Sequence, residues 1–141
     1  MVRRMRIVLN ISPPTISQKN SVKFNRRTGR TYHEARFVKA REEIKEELKK
    51  KAPYKPLDGC LFLTVTLYYP RPKTHQNDVY KATKPDSDNA LAVYSDLLEK
   101  CGYVVNDSRF VLETVVKKYD DGKGARVEIE LGEIEEKEVY I

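Results

Sequence analysis

The chain reads as a single α+β domain, a mixed or antiparallel β-sheet with two main helices packed on one side. Three observations predict this. Runs rich in β-branched and aromatic residues recur at 6–11, 60–69, 109–119 and 125–131. Two longer stretches, 34–51 and 89–101, repeat apolar residues every three or four positions, the spacing of one helix face. The 141 residues carry no internal repeat and no linker-like segment, so 1–141 is expected to be one domain around one core.

Residues 6–11 are the first expected strand, ended by Pro13-Pro14. Residues 12–32 then read as a polar loop holding Lys19, Lys23, Arg26, Arg27 and Arg30 but no acid. A solvated surface loop is the plain account. The same cations, interleaved with Asn20, Phe24, Asn25 and Tyr32, also suit a loop that grips phosphates, and this reading is favoured. In the helix over 34–51, Phe37, Ala40, Ile44 and Leu48 share a face. Its Glu and Lys residues form a solvated surface, with Glu46 and Lys50 at i,i+4 spacing. Ala52-Pro53 and Pro56 close it.

Residues 60–69 suit a central strand, terminated by Pro70-Arg71-Pro72. A second polar loop, 71–84, carries Arg71, Lys73, Lys81 and Lys84. The helix over 89–101 puts Ala90, Tyr94, Leu97, Leu98 and Cys101 on a common face, with Gly102 as its stop. Residues 103–105 read as extended. The runs 109–119 and 125–131 look like two arms of a hairpin around Asp120-Asp121-Gly122-Lys123-Gly124. The acidic 133–141 is expected to be a mobile tail or an extra edge strand.

Charge narrows the function. A net charge of +6 and a pI near 9.2 favour a polyanionic partner, because each phosphate neutralised releases bound counterions. Cys60 and Cys101 lie in apolar contexts, which predicts two buried reduced thiols rather than a disulfide framework. His33 and His75 have no ligand-spaced neighbours, which argues against structural zinc. The charged N-terminus lacks the apolar stretch of a signal peptide, and no window approaches the ~20 apolar residues of a membrane span. A soluble cytoplasmic protein, without membrane contact, is expected.

The chemistry concentrates in Lys84-Pro85-Asp86-Ser87-Asp88-Asn89 and, after the second helix, in Asn106-Asp107-Ser108. Pro85 disfavours helix at Lys84, so the helix starts no earlier, and Asp88 sits where an N-cap is expected. In the non-helical turn before a helix, Asp86 and Asp88 can converge on one ion, and hard carboxylate oxygens are what magnesium prefers. The helix runs about 20 Å away from them, but a strand after Gly102 can turn the chain back and let Asp107 rejoin the pair. Three acids without cations repel one another, and a bound divalent ion removes that cost. The opposing reading makes Asp88 a cap, Asp86 a turn residue and Asn106-Asp107 an ordinary turn pair. On these residues alone both readings stand.

These segments, with Asp96-Leu97-Leu98 between them, resemble the signature of the RusA family of Holliday junction resolvases: an acid pair in D-x-D-N, a helix with an internal aspartate, and a further acid before a strand. The likeness extends to the Pro13-Pro14 turn and the Asn-containing loop after it, and so covers most of the chain. It implies a RusA-like fold and a homodimeric, magnesium-dependent endodeoxyribonuclease, with manganese able to substitute and no small-molecule cofactor. The implied activity is resolution of four-way DNA junctions in recombination and repair, in a bacterium or phage. By position, Asp86, Asp88 and Asp107 become the metal-binding catalytic acids. Asn20 and the cations Lys19, Lys23, Arg26, Arg27, Arg30, Lys81 and Lys84 become DNA contacts. Asp96 is expected to support its helix, pairing with Lys100 at i+4.

One departure matters. The family pattern has a lysine three residues after the asparagine, where it can approach the scissile phosphate; this chain has Ala92. A substitute cation is expected, with Lys84, Lys81 and Arg109 nearest the motif in sequence. The departure makes one rival credible, a non-catalytic binder of branched DNA; a rival of another class is a structural or protein-interaction domain that uses its charged helix as a surface.

Overall fold

The computed structural model describes residues 2–16 and 21–135. In chain order the elements are β1 (Arg4–Leu9), β2 (Val22–Asn25), β3 (Arg30–His33), α1 (Ala35–Lys50), β4 (Leu61–Tyr69), α2 (Ser87–Lys100), β5 (Phe110–Tyr119) and β6 (Arg126–Glu133). Four strands make one mixed sheet in the order β1-β6-β4-β5, with β4 parallel to β5 and the other neighbours antiparallel. β2 and β3 form a separate two-stranded ribbon. The α+β class and the single domain are as the sequence predicts.

Period-two alternation builds the core. In β4, Leu61, Leu63, Val65, Leu67 and Tyr69 are buried, while Phe62, Thr64, Thr66 and Tyr68 stay partly exposed on the other face. The buried row joins one cluster with Phe37, Ile44 and Leu48 of α1 and with Ala90, Leu91, Val93, Tyr94, Leu97 and Leu98 of α2. The two helices run in the same direction. Arg41 meets Asp96 at 2.9 Å, the Cys101 thiol faces Lys45 O at 3.8 Å, and the Tyr103 hydroxyl donates to Leu48 O at 2.6 Å. Both helix N-termini therefore lie at one end of the domain, near the end of β4.

Several expectations need correction. The runs 109–119 and 125–131 are not a hairpin, because β4 lies between them. β4, α2 and β5 make a strand–helix–strand crossover, the kind of connection that parallel strands need. The 120–124 loop then carries the chain past the end of β4 to its other edge. Asp120 N–H donates to Tyr69 O at 2.8 Å, and the buried Arg126 holds Asp121 through two bonds of 3.0 and 3.1 Å.

Residues 22–33 are an ordered ribbon rather than loop. α2 begins at Ser87, which makes Asp86 its N-cap instead of Asp88. Cys60 is exposed and Cys101 half-buried, both free thiols. Alternation puts Cys60 on the face opposite Leu61, away from the core. Lys50 pairs with Glu47 at 2.9 Å, not with Glu46, which faces Lys49 at 3.9 Å. Glu133 completes β6 and Ile134 N–H donates to Cys60 O at 2.9 Å, while 136–141 lie outside the described residues. Among the described residues no helix is long and apolar enough to cross a membrane.

Candidate functional site

The turn before α2 is held from behind. Lys117 Nζ donates to Thr83 O at 2.8 Å and to Pro85 O at 2.6 Å, and Lys81 Nζ donates to Thr83 Oγ1 at 2.7 Å. The Lys81 amine also lies over the rings of Tyr69 and Tyr119, 5.2 and 5.8 Å from their centroids. Burial lowers its pKa, and the neighbouring Lys117 charge lowers it further. Behind the turn, burial raises the pKa of the Tyr69 and Tyr94 hydroxyls, so both stay neutral near pH 7 and form a floor.

On this support Asp86 takes an extended N-cap conformation, φ −63° and ψ 147°, and its carbonyl accepts Ala90 N–H at 2.8 Å. Its carboxylate makes no capping bond. Asp88 lies in the first turn of α2. Both are exposed, and neither carboxylate has a hydrogen bond or ion pair among the described residues. The capping account of these acids therefore lacks the bond it needs. Two unpaired carboxylates beside the positive end of a helix dipole match the oxygen donors that magnesium takes together with water and phosphate.

Asp107 lies elsewhere. It opens the 3-10 turn Asp107–Arg109, and its backbone N–H donates to Glu99 Oε1 at 2.9 Å, near the C-terminus of α2. Asp88 and Glu99 are eleven positions apart on α2, roughly 16 Å at ~1.5 Å per residue. β5 agrees: Phe110 follows the Asp107 turn, and Lys117, seven positions on, holds Pro85, a span of about 23 Å. Within one chain Asp107 does not rejoin Asp86 and Asp88. The cause is the crossover: α2 starts where β4 ends, whereas β5, parallel to β4, starts where β4 starts. Among the described residues, no group of three or more Asp, Glu, His or Cys is gathered to hold a metal ion.

Around Asp107 lie Glu99, Glu113 and Arg109. Glu113 has its pKa raised by burial and then by the Asp107 charge. Arg109, one of the cations expected to replace the family lysine, is here too and pairs with Asp58 at 3.1 Å. It is therefore remote from Asp86.

The other expected cations fall at the opposite end. Lys84, exposed, directly precedes the cis peptide to Pro85, with its amine unpaired among the described residues. Lys23, Arg26, Arg27 and Arg30 lie on the β2–β3 ribbon, whose base enters α1 through Glu34 N–H to Ser21 O at 2.7 Å. Lys19 and Asn20 lie outside the described residues. Ala92 is exposed on α2. Asp96 pairs with Lys100 at 3.2 Å as expected, and also with Arg41 of α1. Burial raises the Asp96 pKa, but the bonds from Arg41 and Lys100 outweigh it and the net shift is downward.

Sequence reasoning missed Lys117 and Glu113. The readable signal for Lys117 was a lysine in phase with Val115 and Tyr119, on the face that β5 turns to the helices. Glu113 shares that phase, but its neighbour Asp107 is set by the turn before β5, which no local pattern shows.

A family model described as Endodeoxyribonuclease RusA matches residues 12–132. No curated protein matches the chain in sequence.

Proposed function

The chain belongs to the RusA endodeoxyribonuclease family, and from that premise we propose that it is a magnesium-dependent nuclease that resolves four-way DNA junctions. The observation that carries this is Asp86: it holds the N-cap position of α2, yet its carboxylate makes no capping bond and, like that of Asp88 in the first turn, is unpaired among the described residues. Asp86, Asp88 and Asp107 would hold the ion. Magnesium, when bound, supplies positive charge to the scissile phosphate and makes water a better nucleophile.

The separation of Asp107 from the other two acids supports a two-fold homodimer. Because one chain cannot bring all three to one ion, Asp107 would complete the site of the partner copy. Two such sites related by a two-fold axis suit a junction of near two-fold symmetry. Lys84 is the best candidate for the role left by Ala92, being unpaired and two residues from Asp86, whereas Lys81 and Lys117 are engaged in holding the turn. The helix N-termini and the basic ribbon lie at this same end and would bind phosphates. The setting would be recombination and repair in the cytoplasm of a bacterium, or of one infected by a phage.

The test incubates the protein with a synthetic four-way junction and a matched linear duplex, with magnesium, manganese or chelator. Paired nicks in the junction that need the metal are expected. Equal cutting of both DNAs, or cutting in chelator, contradicts the reading. One observation favours a second reading, a non-catalytic binder of branched DNA: Ala92 stands where the family has its lysine. That protein would bind the junction in a salt-sensitive way and nick nothing under any metal.

A further inference from the structure

The β2–β3 ribbon is unusual in having every residue of both strands exposed, and it pairs with no strand of the main sheet. A lone two-stranded ribbon is marginally stable in water, so its order comes from its two ends. At the base, the Ser21 hydroxyl and His33 Nδ1 lie 2.6 Å apart, and the His33 ring packs on Phe37 with centroids 5.5 Å apart. At the tip, Asn25 Oδ1 accepts from Arg27 N–H at 2.9 Å and from Thr28 N–H at 3.3 Å. Gly29, at φ 68°, returns its N–H to Asn25 O at 2.9 Å. The left-handed φ at this turn favours glycine. The ribbon is thus a pre-formed finger rather than a slack loop.

What the finger displays is specific. Phe24 is 61% exposed and Tyr32 53%. The register sets Phe24 opposite Thr31 and Lys23 opposite Tyr32, so the two rings stand on opposite faces. From Ser21 to His33 there are four cations and no acid. Lys23 reaches Glu34 only at 4.0 Å, and the guanidinium groups of Arg26, Arg27 and Arg30 have no partner among the described residues. A solvent-facing aromatic ring has no role in the core, and unpaired arginines around it select a polyanion over an apolar or basic partner. Ring and cation together are what binding of unstacked nucleobases requires, the cations tracking the backbone while the ring stacks on a base.

Resting on the junction reading above, we propose that this ribbon recognises the branch point. Arg26 and Arg27 at its tip hold phosphates, and Phe24 stacks on a nucleobase exposed where the arms meet. A perfect duplex offers Phe24 no such base without paying for unstacking, whereas a junction does. Phe24 is therefore a specificity residue, and the arginines supply affinity common to all DNAs.

The experiment measures binding in chelator, so that no cutting intervenes, to a four-way junction and to a matched duplex. Phe24→Ala should weaken junction binding about tenfold, a stacked base's share, and leave duplex binding unchanged. Phe24→Trp should keep the preference, and Phe24→Leu, apolar but without a ring, should lose it. Replacing Arg26 and Arg27 by Ala should weaken both DNAs together and lower the salt slope by about two. Thermal melting of each variant checks folding; Phe24, exposed, should leave Tm unchanged.

The inference is overturned if Phe24→Ala lowers both affinities equally or neither, or if Phe24→Leu keeps the preference. It is also overturned if Phe24→Ala changes the oligomeric state and not DNA selectivity, since the ring would then bind protein. If the wild-type protein itself binds duplex and junction equally, the junction reading fails along with it. A preserved wild-type preference with no Phe24 effect removes the ribbon's role alone.

Discussion

The two ends of α2 carry the same kind of side chain in different surroundings. At the N-terminal end, Asp86 and Asp88 sit among cations: Lys84 beside them, Lys81 and Lys117 behind, and the ribbon arginines at the same end of the domain. At the C-terminal end, Asp107 has its N–H on Glu99 and its charge felt by Glu113, while Arg109 of the same turn is taken up by Asp58. One end carries carboxylates and a lysine amine left unpaired among the described residues; the other holds Asp107 apart from them, with Glu99, Glu113 and Arg109 as its surroundings. The difference teaches that one chain does not gather the three acids at either end. The proposed dimer rests on this separation of the acids.

The comparison breaks most visibly at the acids. Asp86→Asn, Asp88→Asn and Asp107→Asn should each lower junction nicking by about 10³-fold or more while junction binding in chelator changes little. Cleavage kinetics and gel shifts measure the two separately. If only the N-terminal pair mattered, Asp107→Asn would keep most of its activity.

Next in size is Lys84→Ala, expected to cost on the order of 10²-fold in nicking rate, with Ala92→Lys restoring much of it in that background. An unaffected Lys84→Ala together with a large gain from Ala92→Lys in the wild-type background would mean that nothing had replaced the family lysine.

A smaller effect sharpens the frame between the two ends. Arg41→Ala removes the partly buried contact that locks α1 to α2 at Asp96 and should cost about 1–2 kcal/mol in chemical denaturation. Asp96 has its folded-state pKa lowered, so it contributes stability present above its unfolded pKa and lost as pH falls through the lower folded value. The gap between wild type and Arg41→Ala should therefore shrink on acidification below the ordinary carboxylate range. A gap independent of pH would deny Asp96 its part.

The smallest effect is at Glu113. Its raised pKa makes the ionised form unfavourable, so Glu113→Gln should raise Tm of the metal-free protein near neutral pH by about 1 °C. The benefit should vanish as pH falls and Glu113 protonates. A variant that melts lower at neutral pH would show that the charge is not a liability there.

The legibility of the fold follows the range of the interactions. Both helices and β4 were readable because a few consecutive residues fix the 3.6 and 2 periods: Phe37, Ile44 and Leu48, or Leu61 through Tyr69. The β5–β6 hairpin was misread because a five-residue loop with two glycines signals a hairpin locally. Which edge of β4 accepts β6 is decided by long-range pairing instead. The ribbon was missed because its strands are only four residues long: Val22 and Phe24 alternate with Lys23 and Asn25, but so short a run amid Arg26, Arg27 and Arg30 reads as loop, and its order comes from its ends. The acids were readable as a motif, and the free carboxylate of Asp86 fits that reading. Their division between opposite ends of α2 was not readable, because it depends on β5 running parallel to β4.

The central claim is that acids from two chains make one site, and mixing inactive variants tests it most directly. Asp86→Asn and Asp107→Asn chains, co-expressed with different tags and purified as the mixed dimer, would carry one site with Asp86, Asp88 and Asp107 intact and one site with both substitutions. The account predicts that each variant alone is inactive and that the mixed dimer regains magnesium-dependent nicking at one strand of the junction. A mixed dimer as inactive as its parents would contradict it, since sites confined to single chains cannot be repaired by mixing.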